Sequence, residues 1–178
     1  MRSDIWRGAA VGVVGGIIGS TAMVAFNHTL AKAGVGRHDH GRRKPDRRDR
    51  AKPNETDGTV ADEPASEKAA SNLVEAVTGA PLGDSGKKVG GSIAHHAFGA
   101  IAGALYGAAA ARAPQIAAGG GTPYGAFVWL AGAEAGMTLA GLARHPRAYP
   151  PVRHAASLAT HLVFGMTLDA VRRWLTRR

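Results

Sequence analysis

Cysteine is absent from this 178-residue chain, and aromatic residues make up only 6% of it. Without cysteine there is no disulfide scaffold, thiolate zinc site, iron–sulfur cluster or c-type haem attachment. Charge is also missing over long stretches: residues 32–90 hold 22 of the 35 charged side chains, and the other 119 residues hold 13. This segregation predicts a membrane protein with one polar loop, although the mean hydropathy of −0.10 is typical of a soluble protein.

The weakly charged stretches predict four transmembrane helices, because about 20 mainly apolar residues cross a bilayer. The first two contain uncharged runs of 24 and 23 residues. The third contains one acid, Glu134, and the fourth reaches full length only with Asp169 inside it. The alternatives are a soluble Ala/Gly-rich helical protein and a secretory signal that is cleaved near residue 33. The predicted spans are residues 6–32, 89–112, 121–143 and 152–174.

The polar part of the chain divides into a linker and a short helix. Residues 33–65 form a predicted disordered linker, because Arg37 to Lys52 contains eight basic and three acidic residues and little that could be buried. This basic run lacks aromatic residues, which favours anionic lipid headgroups over nucleic acid as its partner. Residues 66–79 form a predicted amphipathic helix on the membrane surface or against the bundle. Its apolar stripe contains Ala70, Leu73, Val74 and Val77.

The distribution of Lys and Arg predicts the orientation of the four spans. Residues 32–90 and the loop before the last span hold 15 basic residues, and the other side holds 7. Since basic loops remain in the cytoplasm, this count predicts a cytoplasmic position for residues 32–90 and an outside position for both termini.

Small residues recur at intervals of four along three of the spans. This spacing places them on one face of each helix, where they let neighbouring backbones approach closely. The pattern therefore predicts specific helix-packing interfaces rather than a loose bundle. The predicted packing residues are Gly12, Gly16, Gly99, Gly103, Gly107, Gly132 and Gly136.

Four ionisable residues within the spans are candidates for a functional site, because such groups are costly in lipid. They are His95, His96, Glu134 and His161. Three interpretations are open: a buried hydrogen-bond network, a proton or ion pathway through Glu134 and His161, and a metal or b-haem site that uses His95 and His161. We expect Glu134 to pair with His161, or else with His95. On the fourth span, one polar stripe contains His154, Ser157, His161 and Gly165.

No catalytic residue is predicted, since neither a P-loop nor a nucleophile elbow is present. The sequence does show a resemblance. The segments that carry it are Lys88–Gly99 with Gly103–Gly107, Gly125 to Glu134, and His161–Gly165. They resemble the YagU-like family of small bacterial inner-membrane proteins of unknown function, over the second to fourth spans and the end of the amphipathic helix. The resemblance implies a membrane bundle and no particular activity.

Together these observations predict an all-α integral membrane bundle of about four transmembrane helices. The predicted function is non-enzymatic and of structural or stress-related type, with the ion pathway and the metal or haem site as alternatives. The predicted location is the bacterial inner membrane, as a multi-pass protein. The predicted partner is the lipid bilayer, no cofactor is expected, and a homo-oligomer remains open.

Overall fold

The computed structural model describes residues 2–35, 65–143 and 145–177, and every regular element in these ranges is helical. The all-α class predicted from the sequence is therefore confirmed. Most of the predicted linker 33–65, including the basic run 37–52, lies outside the described residues. The α-helices are α1 (Arg2–Lys32), α2 (Ala65–Thr78), α3 (Asp84–Arg112), α4 (Thr122–Val128), α5 (Met137–Leu139) and α6 (Pro151–Thr176). Short 3-10 helices cover Pro114–Gly121 and Pro146–Ala148, and a π-helix covers Trp129–Gly136.

Helices α1 and α3 pack antiparallel, glycine against glycine. A Cβ atom added to any of the six glycines involved would lie within 2.9 Å of a backbone atom of the other helix. Only glycine permits so close an approach of two helix backbones. The structure thus places five of the seven predicted packing glycines at one interface. The pairs in contact are Gly8 with Gly107, Gly12 with Gly103, and Gly16 with Gly99.

Helix α6 lies between α1 and α4 and runs antiparallel to both. Gly15 and Gly19 on a second face of α1 receive Leu168 and Phe164 of α6. On its other side α6 is approached by the start of α4, where Gly121 lies against Gly165 and Gly125 lies against His161. The order across the bundle is therefore α3, α1, α6, α4. Tyr124 of α4 reaches back to α3, where its hydroxyl donates to the carbonyl of Ala102 at 2.6 Å.

The third predicted span, residues 121–143, is a continuous helical segment with a π-helical middle, a feature that the sequence did not predict. It consists of α4, the π-helix and α5, and it ends at Leu139. Gly119, Gly120 and Gly121 before it have positive φ angles of 72°, 64° and 81°, which only glycine adopts at little cost. The π-helical stretch contains five Ala and Gly residues around Glu134. Such small side chains add little packing to hold the regular α-helical hydrogen-bond register.

Helix α2 packs against α3 through one part of its predicted stripe. Ala70 is buried against Gly90, and Glu67 covers Gly91. Leu73 and Val77, from the same stripe, remain exposed. The helix therefore uses Ala70 for the bundle and leaves larger apolar side chains on its outer surface.

Among the described residues, only α1 is both long and apolar enough to cross a membrane by length and composition. Helices α3 and α6 have 29 and 26 residues, lengths of roughly 40 Å at 1.5 Å per residue. Their glycine, histidine and arginine content makes them less apolar than α1. The structure thus establishes a helical bundle with one candidate membrane helix.

Candidate functional site

A cleft of about 640 Å³ lies between α3, α6 and the segment formed by α4, the π-helix and α5. One part of its wall is apolar, and the other part carries polar side chains from four helices. Among the sequence-predicted candidates, the structure brings His95, Glu134 and His161 to this cleft, whereas His96 is not part of its lining. The polar lining residues discussed below are Ser20, His95, Glu134, His154, Ser157 and His161.

Glu134 is hydrogen-bonded to a histidine, although not to the predicted one. Its Oε1 lies 2.8 Å from Nδ1 of His154. The sequence had predicted His161 as the partner, so the predicted residue type is correct and the predicted position is not. The physical reason is the antiparallel register between α4 and α6. Gly125 lies opposite His161. Glu134 follows Gly125 by nine residues, so it lies more than two turns away from His161, at the level of the first turn of α6, which contains His154.

The Glu134–His154 pair holds one shared proton. Nε2 of His154 lies 2.9 Å from the carbonyl oxygen of Pro146, which can only accept, so Nε2 carries a proton. The hydrogen bond between Nδ1 and Oε1 then needs a second proton, on either atom. In both arrangements the pair has no net charge. The side chains are 17% and 27% exposed, so the pair lies at the edge of the cleft rather than deep inside it.

His161 and His95 lie further along the cleft and have fewer partners. Nδ1 of His161 donates to the carbonyl of Ser157 at 2.8 Å, which leaves its Nε2 facing away from its own helix. Nε2 of His95 is buried and has no hydrogen-bond partner among the described residues. The same is true of Oγ of Ser20 on α1, which is only 1% exposed. Two buried polar atoms at the cleft are therefore unsatisfied, which costs stability in a folded protein.

His96 points in another direction, as expected for the residue next to His95 on a helix. Its Nδ1 donates to the carbonyl of Ser92 at 2.9 Å, and its Nε2 lies 3.3 Å from the hydroxyl of Thr21. His96 therefore links α3 to α1 and contributes no group to the cleft.

Gly132 and Gly136 do not pack against another helix, which corrects their prediction as packing residues. A Cβ added to Gly132 would meet nothing within 4 Å, and one added to Gly136 would meet only Ala131 of the same segment. Because the π-helix turns this segment differently from an α-helix, a spacing of four no longer defines one interface.

A second polar cluster, which the sequence analysis did not single out, lies towards the other end of α6. Asp169 is 1% exposed and accepts a hydrogen bond from the hydroxyl of Tyr106 at 2.8 Å. It also forms ion pairs with Arg172 at 2.8 Å and with Arg173 at 2.6 Å. Its spacing of three and four residues from two arginines was the available signal. All three partners are satisfied, so this cluster joins α3 to α6 structurally.

The metal-site hypothesis requires several ligating side chains close together. In the ranges that the structure describes, no three His, Asp or Glu side chains are grouped closely enough to hold a metal ion. His95 and His161, the two weak candidates, line the same cleft from facing helices.

Comparison with known families identifies the chain. A family model described as a protein of unknown function, DUF1440, matches residues 78–170. The match covers more than half of the chain, so the protein belongs to this family. It extends from the end of α2 into α6 and includes His95, Glu134, His154 and His161 of the cleft, but not Ser20 or Ser66. No curated protein and no solved structure matches the chain.

Proposed function

We propose that this protein is a multi-pass integral membrane protein in which α1, α3, the α4–α5 segment and α6 all cross the bilayer. The observation that carries this proposal is the position of the large apolar side chains. On α3 a row of them is exposed, and it is offset by two residues, about 200°, from the glycine row that packs against α1. The exposed row contains Val89, Ile93, Ile101 and Leu105.

The same distribution is found around the bundle. Helix α1 exposes Val14, Ile17 and Ile18 while it buries glycines. A bundle that packs glycines at its helix interfaces and exposes large apolar side chains gains little hydrophobic stabilisation from folding in water. In a bilayer the same exposed side chains contact lipid at no such cost. The charged side chains of the four segments lie within two or three turns of the segment ends, where they can reach the headgroups, and this includes Glu134, five residues before Leu139.

The role that fits this arrangement is non-enzymatic. The resemblance to the YagU-like group supports a bacterial inner-membrane location and a structural or stress-related role. Membership of DUF1440 adds no activity to this picture.

Single-cysteine labelling tests the membrane position, because the natural chain has no cysteine that would interfere. Ile101 is 59% exposed on the protein surface. We expect Ile101→Cys to resist a water-soluble maleimide in membranes and to react after denaturation in SDS. Ser85→Cys and Gln115→Cys, exposed near the two ends of α3, should react from opposite sides, Ser85 from the cytoplasm. Labelling of all three from one side would refute the proposal.

Proton handling is the second candidate function. The Glu134–His154 pair supports it, because a proton that moves between two such groups leaves the net charge unchanged. His161 continues the polar stripe inward from His154 on α6. Proteoliposomes with a trapped pH-sensitive dye should then acidify in response to a gradient, and Glu134→Gln should abolish the flux. Glu75→Gln on exposed α2 is the matched control, and equal flux in both variants would refute the pathway.

A further inference from the structure

The last two turns of α6 form a recess on the outer surface of the bundle, at the end of α6 away from Glu134. It has a volume of about 400 Å³ and is lined by one face of the helix, with residues at intervals of three and four. Two of the lining side chains are basic, one is aromatic and one is a methyl group, and all four residues are exposed. They are Arg173, Arg177, Trp174 and Ala170.

Both arginines of this recess have hydrogen-bond donors to spare. Nε of Arg173 is paired with Asp169 at 2.6 Å, and its Nη2 donates to the carbonyl of Ala117 at 3.5 Å. A guanidinium has five N–H groups, so three donors remain while these two contacts hold the side chain in place. Arg177, one turn further along, forms no ion pair with a carboxylate within the described ranges. Two guanidinium groups on one helix face match the oxygen geometry of a phosphate.

The charges around the recess favour an anion. The two carboxylate oxygens of Asp169 are paired with Arg172 and Arg173, so a single negative charge faces the three arginines on this part of α6. A ligand group with its own positive charge would be repelled here, whereas a phosphate without one would be attracted. The other charged side chains that the structure describes at this end of the bundle are Asp4, Arg7 and Arg112.

Two tryptophans place the recess at the depth of lipid head groups. Trp6 and Trp174 are 75% and 61% exposed. In the antiparallel α1–α6 pair Gly15 lies against Leu168. Because Trp6 is nine residues from Gly15 and Trp174 is six residues from Leu168, the two rings differ in depth by three residues, about 4.5 Å. Tryptophan is enriched at membrane interfaces, and the arginines of the recess lie within one turn of this level.

The same face of α6 becomes apolar towards the middle of the helix. Ala170 and Met166 lie one and two turns before Trp174, at spacings of four residues that keep all three on one side. The side chain of Met166 is 45% exposed. A ligand that fits this surface has an anionic head at the arginines and a hydrocarbon chain along the methionine. A free phosphate ion would use only the first of these two parts.

We propose that this recess binds the phosphate of an anionic phospholipid, one whose head group carries no positive charge. Arg173 and Arg177 donate hydrogen bonds to the phosphate oxygens. The first part of an acyl chain lies along Ala170 and Met166, beside the ring of Trp174. The site involves neither the cleft nor the basic run 37–52. The inference rests on the proposed membrane position, because the lipid reaches the recess from within the bilayer.

Quenching of Trp174 fluorescence by lipids with brominated acyl chains tests the inference. The full-length chain carries Trp6→Phe and Trp129→Phe, which leave Trp174 as its only tryptophan, and is reconstituted in phosphatidylcholine vesicles. Trp129→Phe keeps an aromatic ring and removes a buried N–H that has no partner in the described part of the chain, so the fold should be retained. We expect brominated phosphatidylglycerol to bind beside Trp174 about five times more strongly than brominated phosphatidylcholine, or more.

Two pairs of variants separate the recess from general attraction to a basic surface. Arg177→Gln should lower the preference for phosphatidylglycerol about fivefold, because one basic group near the surface contributes about that factor. Arg112→Gln, at the end of α3 on the same side of the bundle, should leave it unchanged. Ala170→Leu fills the recess without changing the charge and should also lower the preference, whereas Ala97→Leu on α3 should not. All four positions are exposed, and equal Tm values in detergent check the fold.

Three outcomes would overturn the inference. They are equal quenching by the two brominated lipids, equal effects of Arg177→Gln and Arg112→Gln, and loss of the preference when inorganic phosphate is added at constant ionic strength, which would assign the arginines to a free ion. Cysteine labelling in the same vesicles distinguishes the two proposals. Protection of Ile101→Cys without a preference for phosphatidylglycerol would refute only the lipid site. Labelling of Ile101→Cys in the membrane would refute the membrane position and the lipid site with it.

Discussion

The α1–α3 interface gives the sharpest test of the packing, because one methyl group is enough to disturb it. In the Gly103→Ala variant, the new Cβ would lie against the carbonyl oxygen of Gly12 and 2.9 Å from Cα and N of Gly16. Carbon atoms in favourable contact are about 3.5–4.0 Å apart. None of these neighbours can rotate away, since all are helix backbone. The two helices must therefore move apart along their length.

The expected cost follows from the position of Gly103 in the middle of three glycine layers. Overpacking a tight site typically costs about 1–3 kcal/mol. Separation at the middle layer also weakens the layers formed by Gly8 with Gly107 and by Gly16 with Gly99. For a chain of this size, the loss corresponds to a decrease in Tm of about 2–12 °C.

Thermal unfolding in detergent measures this effect, and Gly132→Ala is the matched control. Gly132 is also helical, but an added Cβ there meets nothing within 4 Å. Because alanine favours a helix over glycine by about 1 kcal/mol, Gly132→Ala should keep or raise Tm. If Gly103→Ala unfolds at the wild-type temperature, or above Gly132→Ala, the close glycine interface is not present in the protein.

Four further substitutions test the polar clusters. Glu134→Gln should retain the fold, because the amide can donate to Nδ1 of a neutral His154 while Nε2 still donates to Pro146; Glu134→Ala should lower the free energy of unfolding by about 1–3 kcal/mol, since it leaves His154 without a partner. Equal stabilities in chemical denaturation would contradict this. At the other end of α6, Tyr106→Phe removes one hydrogen bond to a carboxylate and should cost about 1.5–3 kcal/mol. Asp169→Asn should cost more, because it leaves two arginines without their counter-charge, and a reversed ranking of the two Tm values would refute this account.

The sequence was informative about the parts of the fold that depend on regular spacing. Uncharged runs located α1 and α3, and the period of four placed Gly12 and Gly103 on faces that do meet. The third segment could not be derived in this way. Its π-helix and the left-handed Gly119–Gly121 turn depend on where α4 meets α6, which local composition does not encode.

The partner of Glu134 was missed for a related reason. The polar stripe on α6 contained both His154 and His161, and the sequence could not say which of them lies at the depth of Glu134. The register is set by Gly121 against Gly165 and by Gly125 against His161. Neither contact can be derived from the sequence of either segment alone. It was therefore predictable that Glu134 pairs with a histidine, but not which histidine of α6 it pairs with.

The two polar clusters also bear on the choice between a proton pathway and a structural role. A proton path across the bundle would have to connect His161 with Asp169. Between them along α6 lie Phe164 and Leu168, which are fully buried in the apolar core and carry no group that transfers a proton. The carboxylate of Asp169 is paired on both oxygens, whereas Oγ of Ser20 and Nε2 of His95 have no hydrogen-bond partner among the described residues. Conduction would require the buried Phe164 to move, and for this reason we rank the structural role above the ion pathway.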